Sequence, residues 1–458
     1  MAELTDRLIQ AYRDWTPTSE KRMEEARRYL PGGDTRSSAH YSPYPAFMVG
    51  GKGSRLTDVD GHEYVDFMNN FTSLIHGHGH PPTAAAVAEQ IARGSAYAAP
   101  SESQVELARI LCERVPSLDE LRFCSSGTEA TSLCVRAARA HNGKPKIVKV
   151  EGGYHGSHDF GEISLVPRPG KSGPLESPEA LIPDRSFAES SLDEVIVTPF
   201  NEPEITRQQI EARADEICAL IIEPMMGAMG MIPPEEGYLE ALREITLENE
   251  VVLIFDEVVT LRVALGGVQD WKGVTPDLTA MGKIIGGGLP IGAFGGRRDL
   301  VEQFNPDRRD TIMHASTFSG NALTMAAGIA ALRHYEQAEI ERINGLGARL
   351  RAGMNGAFRK AGIRGQATGY GSLSRIHLSD RAIRHARDSV QAVIEAGAIP
   401  RLLHLGMLRR GVFGAGSLMY CTSTAMGEAD VDLAAGALLD TLVELRPAVE
   451  EECPTLLA

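Results

Sequence analysis

The sequence predicts an α/β protein: a large domain with a mostly parallel central sheet flanked by helices, followed by a small α+β domain. Three observations predict it. From about residue 105 to residue 300, helical patterns alternate with short apolar or β-branched runs, the signature of parallel strands joined by crossover helices. Those runs are uniformly apolar, so both faces of the sheet need cover. The chain has 458 residues, 43% hydrophobic and 23% charged, more than one ordinary domain of roughly 150 residues and enough for a sizeable core.

Residues 1–60 open with a charged helix, in which Glu20 to Arg28 read as a solvated face. A loop rich in Pro, Gly and Tyr follows. This segment is too short to fold alone and is expected to pack with the small domain. The large domain is expected over 61–335. Its strands are read at 121–126 (LRFCSS), 146–150 (KIVKV), 219–224 (ALIIEP) and 251–257 (VVLIFDE). Residues 321–337 carry Leu323, Ala326, Ala327, Ala330 and Ala331 at helical spacing, predicting one long helix that leaves this domain. Over 336–458, helical segments flank two strand candidates, SRIHL and SLMYC, the pattern of a small α+β unit.

Forty-six Lys plus Arg stand against 61 Asp plus Glu, a net charge of −15. That balance repels polyphosphate and anionic lipid, so nucleic acid is not an expected partner. No apolar run reaches the roughly 18 residues of a membrane span, and the first 15 residues resemble neither a signal nor a transit peptide. The expectation is a cytoplasmic protein whose six cysteines, none in a C-x-x-C pair, are reduced thiols.

Three features carry chemistry. Ser125-Ser126-Gly127-Thr128-Glu129 lies between a strand and a helical pattern, where free N–H groups and the dipole make a phosphate site; a plain capping box explains the same residues. Asp256 ends the apolar run VVLIF, where a buried acid needs a cationic partner, whether ligand or structural salt bridge. Lys283 sits among apolar and glycine residues that lower an amine's pKa. A nucleotide P-loop does not fit there, because Asp277 occupies its first glycine and Ile284 its metal-binding hydroxyl. A phosphate cradle, a strand-end carboxylate and an apolar-pocket lysine are jointly what pyridoxal phosphate requires.

With those residues in place, the chain resembles the class III, or ω-type, pyridoxal-phosphate aminotransferases of fold type I over nearly its whole length. The motif from Phe255-Asp256-Glu257-Val258 through Pro276-Asp277-Leu278 to Gly282-Lys283 carries the likeness. The resemblance implies that Ser126, Gly127 and Thr128 bind the cofactor phosphate. It implies that Tyr154 and Val258 lie on the two faces of the ring, with Glu223 near its edge. Asp256 then partners the ring nitrogen and Lys283 holds the cofactor covalently. Thr317 resembles the residue that reaches the phosphate from a neighbouring subunit, which implies a homodimer with shared sites.

The resemblance further implies ping-pong transfer of an amino group from a small-molecule donor to a keto acid acceptor. The segment from Leu30-Pro31-Gly32-Gly33 to Pro45 is similar to the β-amino acid (β-phenylalanine) aminotransferases, in which Arg36 would bind the substrate carboxylate through its bidentate fork. Val259-Thr260-Leu261-Arg262 stands where most class III enzymes have a glycine, a departure that group shares. Gly414 to Met419, where the group has a second arginine, contains none. The related glutamate-1-semialdehyde aminomutases, isomerases that need no external acceptor, are the alternative; a cofactor-binding protein without catalysis is a further one. His76, His78 and His80 alternate but lack a completing carboxylate or cysteine, so no metal is expected. Arg409 and Arg410 are read either as surface charge or as neighbours of the site.

Overall fold

The computed structural model describes residues 2–458, and it divides the chain into two compact units. Residues Pro81–Ile340 and Ile383–Val390 form one; the residues up to His80, Glu341–Ala382 and Gln391–Ala458 form the other.

The unit that includes 81–340 is built on seven strands: β1 (Glu120–Cys124), β2 (Lys146–Val150), β3 (Val195–Thr198), β4 (Ile217–Ile222), β5 (Val252–Asp256), β6 (Leu278–Gly282) and β7 (Gly292–Gly296). Their order across the sheet is β1-β7-β6-β5-β4-β2-β3. The pairs from β6 through β3 are parallel, whereas β7 runs antiparallel to both β6 and β1. The expected strand at 121–126 is therefore β1, but it joins an antiparallel edge. β7 escapes the sequence reading because Gly-Ala-Phe-Gly-Gly has the composition of a turn. Those glycines are there for close approach: a Cβ on Gly292 would run into the carbonyl oxygen of Ser126. Helix Gly127–Asn142 covers the sheet with Ala130, Leu133, Cys134, Ala137 and Ala138, which join Ile147, Ile221 and Ile254 in one core.

The helix expected over 321–337 is shorter than that span. Ala322–Arg333 ends, and Gln337–Ala361 begins after a short break. Arg114 causes the stop by donating to the carbonyls of Leu332 at 2.7 Å and Tyr335 at 2.8 Å. Periodicity could not register a cap delivered from 220 residues away in sequence. Residues 383–390 are fastened to this unit by Arg387, which bonds Glu151 at 2.7 Å, and by Arg384, which bonds Glu235 at 2.6 Å.

In the other unit, strands Met48–Lys52, Arg55–Asp58 and Glu63–Asp66 form a sheet with Val412–Phe413, so residues 61–66 belong with the N-terminal segment. A second sheet comprises Gln366–Thr368, Leu373–His377 and Met419–Cys421. The last two are the expected SRIHL and SLMYC. Helices Gln337–Ala361, Ile399–Arg409 and Glu428–Glu452 supply Leu350, Met354, Leu403, Leu438 and Leu442 to its core. Arg409 and Arg410 both pair with Glu444, at 3.5 and 2.8 Å, so their charges are spent within this unit.

Asn69, Asn70, Phe71 and Thr72 all have φ between 47° and 73°, a left-handed turn without a single glycine. Such a run is costly and persists only where its surroundings dictate it. Asp66 does so, accepting from the N–H of Met68 and of Asn69, both at 2.9 Å, while its Oδ2 holds His78 at 2.7 Å. His76 bonds Thr424 at 2.8 Å and stacks on His80 at 4.2 Å.

Candidate active site

The C-terminal ends of β2, β4, β5 and β6 converge with the N-terminus of helix Gly127–Asn142, the place where an open parallel sheet receives ligands. Asp256, the last residue of β5, is 5% exposed. Its Oδ1 accepts from the N–H of Val258 at 3.1 Å, and its Oδ2 lies 2.9 Å from Nδ1 of His155. Burial pushes the Asp256 carboxyl up to about 7, against the pull of that N–H and of the Lys283 charge. Burial and the charge of Lys149 press His155 down to about 3. The imidazole is thus neutral and donates through Nδ1 to the carboxylate. Nε2 has no hydrogen-bond partner among the described residues.

Glu223 follows β4 and is spanned by two backbone donors, Tyr154 to Oε1 and Gly227 to Oε2, both at 3.0 Å. Burial raises its pKa, opposed by His155. Lys283 follows β6 in a left-handed conformation with φ 50°. Its surroundings lower the amine's pKa through burial, while the carboxylates of Asp256 and then Glu223 oppose the shift. Three charged groups expected from sequence are therefore close enough to set one another's protonation.

Val258 is wedged between two glycines. A Cβ on Gly127 would stand 3.0 Å from its methyl carbons, and one on Gly282 would stand 3.4 Å from the nearer of them. Tyr154 is 40% exposed, with its hydroxyl 3.2 Å from that of Ser157.

In the 125–129 turn the capping bonds of the plain reading are formed. Ser126 caps the helix by accepting from the N–H of Glu129 at 3.2 Å, and the Glu129 carboxylate accepts from the N–H of Ser125 at 3.0 Å. The N–H groups of Gly127 and Thr128 remain, because first-turn donors have no carbonyl one turn earlier. Thr128 Oγ1 accepts from the N–H of Ser157 at 3.3 Å. Ser316 approaches Ser125 to 3.3 Å between hydroxyls of the same chain, and the adjoining Thr317 is exposed.

Arg36 belongs to the other unit. Its Nη1 donates to Asn70 Oδ1 at 2.8 Å, and its guanidinium lies 5.6 Å from the centroid of the Phe71 ring. Both partners come from the left-handed turn. Glu257, next to Asp256, is structural: it accepts from Val268 N at 3.1 Å, from Gln269 N at 3.0 Å and from the Thr260 hydroxyl, tying down the 258–269 loop.

His155 and Lys149 have no place in the sequence reading. His155 was available to it, since a buried strand-end acid calls for a donor and Gly153-Tyr154-His155-Gly156 follows a neighbouring strand. Lys149 carried no such signal, because Lys146 and Lys149 in KIVKV look like ordinary strand-end charges.

Class III aminotransferases match this chain over residues 37–410. A solved ω-transaminase from Sphaerobacter thermophilus superimposes with a TM-score of 0.90 at 44% identity, covering 93% of this chain and 98% of its own. Glutamate-1-semialdehyde 2,1-aminomutase of Methanothermobacter thermautotrophicus is 38% identical over 404 residues, 88% of this chain and 93% of that protein. β-Phenylalanine transaminase of Variovorax paradoxus is 36% identical over 435 residues, 94% of each chain. The chain belongs to the class III aminotransferases, enzymes of fold type I that depend on pyridoxal 5′-phosphate.

Proposed function

We propose that this protein is a transaminase that moves an amino group from a β-amino acid or amine to a keto acid, alternating the two substrates in one site. The observation that carries the chemistry is Asp256, a buried strand-end carboxylate with a neutral histidine behind it and the Lys283 amine nearby. Such an acid is unfavourable alone and well matched to a cationic ring nitrogen.

The residues present fit pyridoxal phosphate on the chemistry of the donor set. Asp256 would hold the ring nitrogen protonated. Tyr154 and Val258 would cover its two faces, the latter in the space that Gly127 and Gly282 leave, and Glu223 would lie at its edge. The N–H groups of Gly127 and Thr128, with Ser126, would hold the phosphate, joined by Thr317 of a second copy of the chain. Lys283 would be the covalent anchor. Bound there, the cofactor would supply an electron sink for the donor carbon as its proton leaves. Lys283 Nζ, with its proton affinity lowered by burial, is suited to take the proton from that carbon and return it. Water is kept from Asp256 and Glu223 by the packed strand ends that bury them.

Arg36 supports a carboxylate-bearing donor. Among the described residues only its Nη1 is engaged with a side chain, which leaves donors of the fork for a ligand. The aminomutase reading has its own support in the 38% identity to an archaeal aminomutase. One experiment separates them: the protein, given an amine and pyruvate, yields a new ketone and alanine if it is a transaminase. Conversion of glutamate-1-semialdehyde without any acceptor, and none of the amine, would assign it as a mutase. The site is proposed to be shared in a cytoplasmic homodimer.

A further inference from the structure

Behind the site lies a charged side chain that the proposed chemistry does not use. Lys149 is fully buried in β2, a strand paired on one side with Val197 and on the other with Ile221. A lysine in the middle of a sheet is expensive, and a methionine would fill the same space without desolvating a charge. Burial lowers its pKa to about 7, against the carboxylates of Glu223, Glu151 and Glu162. Glu151 is already answered by both arms of Arg387, at 2.7 and 3.1 Å. Among the described residues Glu223 has no such ion pair, and its hydrogen bonds come from backbone N–H groups.

The ammonium is spent on a turn. Nζ donates to the carbonyl of Gly153 at 2.5 Å and to that of Val150 at 3.3 Å. Between them the chain reverses through Gly152 at φ 86°, and Gly153 N closes onto Val150 O at 3.1 Å. What leaves this turn is Tyr154, whose N–H bonds Glu223, and then His155, which bonds Asp256. The fit is tight, since a Cβ on Gly153 would come within 2.9 Å of His155 Nε2. Both carboxylates of the site are thus addressed by consecutive residues of a turn held from beneath by a buried cation.

We propose that Lys149 is a positioning residue: it clamps the 150–155 turn so that His155 meets Asp256 and Tyr154 meets Glu223, and it sets a positive charge behind the Gly153–Tyr154 peptide group, whose carbonyl it holds and whose N–H meets Glu223. This rests on the cofactor site proposed above. Its test is Lys149→Met in the holoenzyme, read by cofactor dissociation constant and by the pH titration of the bound cofactor's absorbance. The expected result is about tenfold weaker retention or more, the scale of losing a supporting polar contact. The titration midpoint should also move upward, because a nearby positive charge has been removed. Lys149→Gln, which keeps an N–H donor without the charge, should recover retention but not the midpoint. A lower melting temperature with affinity and midpoint both unchanged would make Lys149 a core residue only. If the Met variant does not fold, the Gln variant decides: a wild-type midpoint overturns the role of the charge. Borohydride labelling of the wild type runs alongside. A label on a lysine other than Lys283 sinks the site, whereas a label on Lys283 with an unchanged Met variant sinks the clamp alone.

Discussion

His155 donates from Nδ1 to Asp256 Oδ2 across 2.9 Å, and both side chains are almost without solvent contact. A carboxylate so placed keeps one oxygen for the histidine and the Val258 N–H on the other, so its orientation is set before any ligand arrives. His155→Leu should leave the far-ultraviolet spectrum intact and lower kcat about 10- to 100-fold, the usual effect of losing such a supporting bond. An unchanged kcat would reduce the pair to packing.

Asp256 should make the cofactor-free protein less stable at alkaline pH. Its folded pKa, about 7, lies above the unfolded value of about 3.9. Its contribution is fully present below the unfolded value and is lost as pH rises through the folded one. The apo form of Asp256→Asn should therefore melt above wild type at pH 8, by the equivalent of about 1–3 kcal/mol, and match it more closely at pH 5. With cofactor added the order should reverse. Scanning calorimetry of both forms at both pH values checks this, and an apo variant no more stable at pH 8 refutes it.

Arg36→Ala should cost about 2–4 kcal/mol in kcat/KM for a β-amino acid, the scale of a charge-assisted pair withdrawn from water. With 1-phenylethylamine, which has no carboxylate, single-turnover rates should fall far less. Equal losses for both donors would move Arg36 to a structural role beside Asn70 and Phe71.

Thr317 is exposed beside Phe318 and Met313, which are 62% and 75% exposed. Apolar side chains of that size gathered on one loop point to a covered surface. Sedimentation should find a dimer, and Thr317→Ala should loosen cofactor retention without preventing borohydride labelling of Lys283. A fully active monomer would exclude the shared site.

Much of this was legible in the sequence because the relevant signals are local. VVLIF followed by an acid reads as a buried strand with a polar end, and it is one. The glycine-rich strand Gly292–Gly296 was not legible: its glycines answer to the Ser126 carbonyl and to neighbouring strands, and nothing within the pentapeptide records that. The stop at Arg333 depends on Arg114, again a partner remote in sequence. The site divides the same way. Lys283 and Asp256 announce themselves by their apolar company, whereas His155 and Lys149 matter only through what they touch.

Val258 between Gly127 and Gly282 has a consequence for anyone reshaping this protein. A methyl on Gly127 would meet the valine at 3.0 Å, so that the valine must give way by a few tenths of an ångström, whereas one on Gly282 would make ordinary contact with it at 3.4 Å and be tight only against the Ile291 carbonyl at 3.3 Å. Trimming the valine to alanine removes the methyls in the way at Gly127, and opens a gap that a methyl there can partly refill. Position 127 is therefore harder to vary alone than together with position 258. A library that randomises one position at a time will undervalue alanine at 127, and one that varies 127 and 258 together will not.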